Sequence, residues 1–120
     1  MKILKCHCGS IEAEIEIPDE IKNFLKCNCS LCKRRGAVMS LVKNEKFKII
    51  KGNENLKMYQ FHTNVAKHYF CINCGIYTHH NPRSNPAMTG FNLGCIDSVN
   101  TFDLDEVKVN DGQNHPLDKK

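Results

Sequence analysis

Seven of the eight cysteines in this 120-residue chain fall into three tight clusters: Cys6-x-Cys8, Cys27-x-Cys29-x-x-Cys32 and Cys71-x-x-Cys74. Thiols this close along a chain pair poorly with one another as disulfides. They converge readily on one small, soft cation, because thiolates at such spacing suit a tetrahedral centre. Four thiolates from the outer pairs, Cys6, Cys8, Cys71 and Cys74, would close one zinc site. Three from the middle cluster, Cys27, Cys29 and Cys32, would leave a second site open. A closed zinc staples a fold, whereas an open one keeps a position where chemistry can occur.

The fourth ligand of the middle site has several candidates: water, a substrate thiolate, Cys95 or a histidine. With an exchangeable ligand, zinc would hold a bound thiol as its thiolate at neutral pH, which suits addition of a thiol to an aldehyde carbonyl. With Cys95 or a histidine in that place, the second site would be structural. Cys95 sits in Asn92-Leu93-Gly94-Cys95-Ile96 and reads as a small buried apolar residue. Nothing beside it would activate it as the nucleophile of a methionine sulfoxide reductase. Lys33-Arg34-Arg35 directly follows the cluster, and Arg34 and Arg35 could meet an anionic substrate such as a carboxylate-bearing thiol. His7 alternates away from its flanking cysteines, toward solvent. His79 and His80, if on a strand, face opposite ways and cannot share one ion. His62, His68 and His115 read as structural.

Short strands must carry these clusters. Ile11-Glu12-Ala13-Glu14-Ile15-Glu16-Ile17 alternates apolar and acidic residues, the pattern of a strand with one buried face. Further strands are predicted over 24–26, 37–42, 47–50, 56–61, 67–70 and 88–93, with a hairpin joining 37–42 to 47–50. Residues 30–35 read as a helical turn or loop closed by Gly36, and 82–86 as a polar loop. Each outer pair ends in a glycine, Gly9 or Gly75, as a sharp turn with positive φ requires. No long amphipathic helix is evident. A mainly β, antiparallel domain with little helix is expected, spanning 1–120 with a polar tail over 111–120.

No apolar run approaches the roughly 18–20 residues of a membrane span. The apolar stretch at the N-terminus is too short for a secretory signal, so a cytoplasmic setting is expected, where clustered cysteines serve as ligands or redox groups. The formal charge of +4 counts the cysteines as neutral. Seven thiolates against two divalent zinc ions would bring it to +1, which makes basicity a weak argument for nucleic acid. A non-enzymatic zinc module binding a protein or nucleic acid through Lys33-Arg34-Arg35 is the second reading.

Cys6-His7-Cys8-Gly9-Ser10, the run from Cys27 through Ala37, and Phe70-Cys71-Ile72-Asn73-Cys74-Gly75 are together similar to the glutathione-dependent formaldehyde-activating enzyme and centromere protein V domain family. The resemblance extends to Asn92-Leu93-Gly94-Cys95-Ile96-Asp97 and covers nearly the whole chain. It implies a small β-tent stapled by zinc. It also implies two zinc ions per chain, a structural one on Cys6, Cys8, Cys71 and Cys74 and a labile, functional one on Cys27, Cys29 and Cys32. The implied activity is that of a carbon–sulfur lyase acting on thiol–aldehyde adducts, the condensation of glutathione with formaldehyde to S-hydroxymethylglutathione. Its partners would be a small thiol and an aldehyde.

Overall fold

The computed structural model describes residues 1–111 except 19, 22 and 106. The polar tail expected over 111–120 therefore lies, beyond Asp111, outside the described residues, as does His115. The fold is mainly β, as expected. Ten strands form two sheets among the described residues, and the one α-helix is six residues long.

The smaller sheet has β1 (Lys2–Lys5), β2 (Glu12–Ile15) and β5 (Phe47–Lys51), in the order β1-β2-β5. The acidic and apolar alternation of β2 works as the sequence predicts. Ala13 and Ile15 are fully buried and Glu12 and Glu14 face outward, with Glu12 3.5 Å from the Lys51 ammonium. The larger sheet contains β3 (Phe24–Cys27), β4 (Met39–Lys43), β6 (Leu56–Tyr59), β7 (Lys67–Cys71), β8 (Tyr77–Asn81), β9 (Met88–Asn92) and β10 (Lys108–Asn110). Its order is β10-β3-β4-β9-β8-β7-β6, antiparallel except where β10 runs parallel to β3. The short helix α1 (Ser30–Arg35) leaves the end of β3 and stops at Gly36.

The hairpin expected between 37–42 and 47–50 does not form. β4 pairs with β3 and β9, and β5 pairs with β2 in the other sheet. The four residues between them, Lys43-Asn44-Glu45-Lys46, lack the glycine that favours positive φ in a tight hairpin. They form a 3₁₀ turn that carries the chain from one sheet to the other. Strands β1, β8 and β10 go beyond those the sequence predicts. β10 is short and exposed, and β8 (Tyr-Thr-His-His-Asn) buries polar side chains on both faces, so neither shows an apolar alternation.

The main core lies between the sheets. Leu4, Ala13 and Ile15 of the smaller sheet pack with Val42 and Phe91 of the larger one, along with Leu93, Cys95 and Ile96. Alternation along the larger sheet sends its other side chains to the opposite face. Leu25, Met39, Leu41, Gly90, His80 and His68 succeed one another there by cross-strand register. One irregularity matters. Between β7 and β8, Tyr69 pairs with His79 but Phe70 pairs with Tyr77, so Thr78 is an extra residue in β8. In a regular strand Tyr77 and His80 would face opposite ways. The bulge turns Tyr77 onto the His80 face, where its hydroxyl lies 2.6 Å from His80 Nδ1.

His79 takes the core face, stacked against Tyr69 at 4.5 Å and tilted on Phe47 at 4.6 Å between ring centroids. Its Nδ1 lies 2.9 Å from the Thr78 hydroxyl. Burial favours the neutral ring and lowers its pKa from 6.5 to about 4. Between those values the unfolded chain binds a proton that the folded chain refuses. Stability from this group is therefore complete above about pH 6.5 and is lost as pH falls toward 4, by up to about 1.4 kcal/mol per unit. Urea midpoints measured from pH 7 to 5 should fall less steeply for His79→Phe than for the unaltered protein; equal slopes would show that this ring does not stay neutral.

Candidate active site

Two hairpin turns bring the outer cysteines together. Cys6 directly follows β1 and begins the tight turn to β2, closed by Gly9 N–H donating to the Cys6 carbonyl at 3.2 Å. Cys71 ends β7 and begins the turn to β8, with Gly75 N–H donating to the Cys71 carbonyl at 2.8 Å. Gly9 and Gly75 have φ of 79° and 76°, as the sequence predicts for such knuckles. The sulfurs of Cys6, Cys8, Cys71 and Cys74 all lie within 4.8 Å of one another. Cys6 to Cys8 is 3.6 Å and Cys8 to Cys71 is 3.7 Å. A tetrahedral metal with bonds of about 2.3 Å to sulfur needs sulfur–sulfur edges of about 3.8 Å, so the set fits such an ion. Ser10 was not legible as a partner. Its hydroxyl lies 3.1 Å from Cys8 Sγ and 3.2 Å from Cys71 Sγ, and the Ile11 amide donates to Cys6 Sγ at 3.4 Å. Such donors share the charge of clustered thiolates.

The middle set is built differently. Cys27 is the last residue of β3, Cys29 caps α1 by accepting from the Cys32 amide at 3.3 Å, and Cys32 lies within the helix. Their sulfurs also lie within 4.8 Å of one another, and among the described residues no histidine, carboxylate or further cysteine joins them. Hydrogen bonding with Cys27 holds the Cys29 thiol far below the ordinary range and the Cys32 thiol far above it. Three sulfurs this close share negative charge poorly without a cation, which is the donor chemistry of a metal site. Cys95 is elsewhere. It is buried in the core between the sheets, 3.7 Å from the Tyr77 carbonyl, and burial pushes its thiol up to about 12. That makes it inert as a nucleophile.

The three thiols open onto a cavity of about 680 Å³, floored by the outer face of the larger sheet. Lys33, Arg34 and Arg83 line it, and among the described lining residues none is acidic. The two arginines predicted to meet substrate separate here. Arg34 faces the cavity rim and donates to the Ser30 carbonyl at 2.7 Å. Arg35 turns beneath the helix, with its guanidinium 3.7 Å from the centre of the Tyr77 ring. From there it donates to Cys32 Sγ at 3.4 Å and to His68 Nδ1 at 3.1 Å. The basic run is thus not a continuous face. His7 is exposed, as expected.

Sequence reasoning missed three contributors to this cavity. His68 and His80, cross-strand partners with rings 5.5 Å apart, both line it. Burial, then the Arg35 charge, lowers His68 to about 4 and His80 to about 3. Arg83 belongs to a loop legible only as polar. The expectation that His79 and His80 face opposite ways holds, and it contained the signal: one of the two had to leave the core.

Cysteine-clamped hairpins, a mainly β body and a thiol-lined cavity define the class, and the sequence relationships agree with it. The chain belongs to the glutathione-dependent formaldehyde-activating enzyme family, whose profile matches residues 1–110. It is also similar to a Rhodobacter sphaeroides protein of known crystal structure, with 44% identity, 90% of this chain and 99% of that one covered, and a TM-score of 0.85.

The His80 ring requires glycine beneath it. A Cβ at Gly90 would come 2.2 Å from His80 Cε1. Gly90→Ala should therefore displace the ring or destabilise the sheet by about 1–3 kcal/mol. Urea unfolding together with histidine ring NMR shifts checks this; an unmoved ring in a fully stable variant would contradict the packing.

Proposed function

We propose that the chain is a zinc-dependent enzyme of the carbon–sulfur lyase type, joining glutathione or a similar small thiol to formaldehyde to give the S-hydroxymethyl adduct. The observation that carries this reading is the contrast between the two cysteine sets: four thiols close on themselves between hairpin turns, whereas three open onto the cavity. Cys6, Cys8, Cys71 and Cys74 would hold a structural zinc, and Cys27, Cys29 and Cys32 a functional one. Zinc on the open set would supply Lewis acidity that keeps a substrate thiol ionised at neutral pH.

The residues around it suit the rest of such a substrate. Lys33 and Arg34 give the cavity a cationic wall, and no acidic residue stands among its described lining residues, which suits the carboxylates of a thiol peptide. The volume falls in the range of sites for small molecules. Arg35 sits behind the site, holding His68 and Cys32 in place. Among the described residues no helix is long and apolar enough to cross a membrane. A cytoplasmic setting, where glutathione keeps thiols reduced, would supply both the thiol and free ligands.

Exchange NMR on formaldehyde and glutathione at equilibrium tests the reading, because only acceleration beyond the spontaneous reaction counts. Zinc-loaded protein should accelerate exchange, and Cys29→Ser should abolish this while lowering bound zinc from two to one. Serine is a good helix cap, so α1 survives the change. No acceleration by protein carrying both ions would sink the formaldehyde reading.

A further inference from the structure

His68 and His80 face the cavity with their tautomers dictated from behind, and the proposed reaction as so far described does not use them. Arg35 Nη2 can only donate, so at 3.1 Å it makes His68 Nδ1 an acceptor. The Tyr77 hydroxyl is buried, and His80 Nδ1 at 2.6 Å is the acceptor within its reach. A buried phenol left without an acceptor would forfeit a hydrogen bond, so Tyr77 donates and His80 Nδ1 accepts. Each neutral ring must then carry its hydrogen on Nε2. The rings are cross-strand neighbours, nearly parallel at 16°, and share the cavity with the three thiols. Neither belongs to the sulfur cluster.

On this geometry, and resting on the proposed function, we infer that His68 and His80 form an oxyanion-binding pair whose Nε2–H groups hold the aldehyde oxygen while sulfur adds. The sulfur lone pair makes the C–S bond and the carbonyl π pair moves onto oxygen. That oxygen then takes up the proton which the thiol released to water. The imidazoles stabilise the developing charge without changing their own, as preorganised neutral donors do. Arg35 and Tyr77 are positioning residues: they touch no substrate, but each locks one ring in the donating tautomer. The bulge at Thr78 is what makes the second lock possible, because it brings Tyr77 onto the His80 face.

The test has two arms. Long-range ¹H–¹⁵N NMR of the zinc-loaded protein at pH 7 should show both rings protonated on Nε2, with both Nε2–H resonances shifting when formaldehyde and glutathione are added together. Tyr77→Phe should mix the tautomers of His80 and leave His68 alone. A hydrogen on Nδ1, or a metal on Nε2, of either ring overturns the proposal whatever the rate, and so do Nε2–H resonances that stay unmoved. In the exchange assay, His68→Leu and His80→Leu should each slow catalysis about 10²-fold. His80→Gln, whose amide N–H reaches a similar position, should retain most of it. A His80→Leu protein that binds both zinc ions and exchanges within twofold of the original rate overturns the proposal. Should the original protein not accelerate formaldehyde exchange at all, the substrate reading fails, and the tautomers and resonance shifts still decide the role of the pair.

Discussion

Crowded sulfurs tolerate one another only around a cation, and the rest of this structure depends on that constraint. Isolated thiols pack as small apolar groups, as Cys95 does. Four within 4.8 Å cannot share one volume as thiolates unless a positive charge lies among them. Because Cys6 and Cys8 belong to one hairpin turn and Cys71 and Cys74 to another, an ion that satisfied the sulfurs would also fix two hairpins to each other. Among the described residues the apolar cluster at the junction has Cys6, Ile11 and Cys71 as its buried members. So small a cluster could hold the two turns together only weakly by burial alone. Metal binding of this kind contributes on the order of 10 kcal/mol to folding.

The clamp also aims the site. β8 starts six residues after Cys71, so the knuckle sets where the strand enters the sheet. The extra residue at Thr78 then re-aims its neighbours. His79 goes inward to Tyr69 and Phe47, while Tyr77 and His80 go outward together. One strand thus places a neutral imidazole on each side of the sheet. Gly90 on the neighbouring strand leaves the outer ring its space. A single inserted residue near a barrel or cavity rim commonly redirects a side chain in this way.

Much of this was legible in the chain, and the remainder was hidden for identifiable causes. The clusters announced their own grouping, because thiols at such spacing have few alternative uses, and the 11–17 alternation marked its buried face residue by residue. The outer glycines were readable because a turn around a metal needs positive φ. The failed hairpin had no comparable signal. Whether two neighbouring strands pair with each other or with distant ones depends on which sheet can cover each face, a tertiary matter that local pattern does not record. The histidines were hidden for a related reason. His68 and His80 become partners only through the register of β7 against β8, and that register contains a bulge that no spacing rule reveals. Arg35 read like Arg34, as a charge that could meet an anionic substrate, and only the packing of α1 over Tyr77 distinguishes them.

The separation of those two arginines gives one basic run two different settings. A cation at the rim attracts an anionic ligand but remains largely screened by water. A cation stacked on an aromatic ring and bonded to a sulfur and an imidazole acts in a much lower dielectric. There the Arg35 charge disfavours protonation of both histidines, adding to burial, and so keeps them neutral donors across the pH range in which thiolates form. It also offers Cys32 a hydrogen bond, tempering the charge on one of the three sulfurs. Lysine could supply the charge but not the geometry, since a point ammonium cannot stack on Tyr77 and bond two acceptors in one plane. The arginine at the last position of the helix thus answers to what lies beneath it, whereas Arg34 one residue earlier lines the cavity in front.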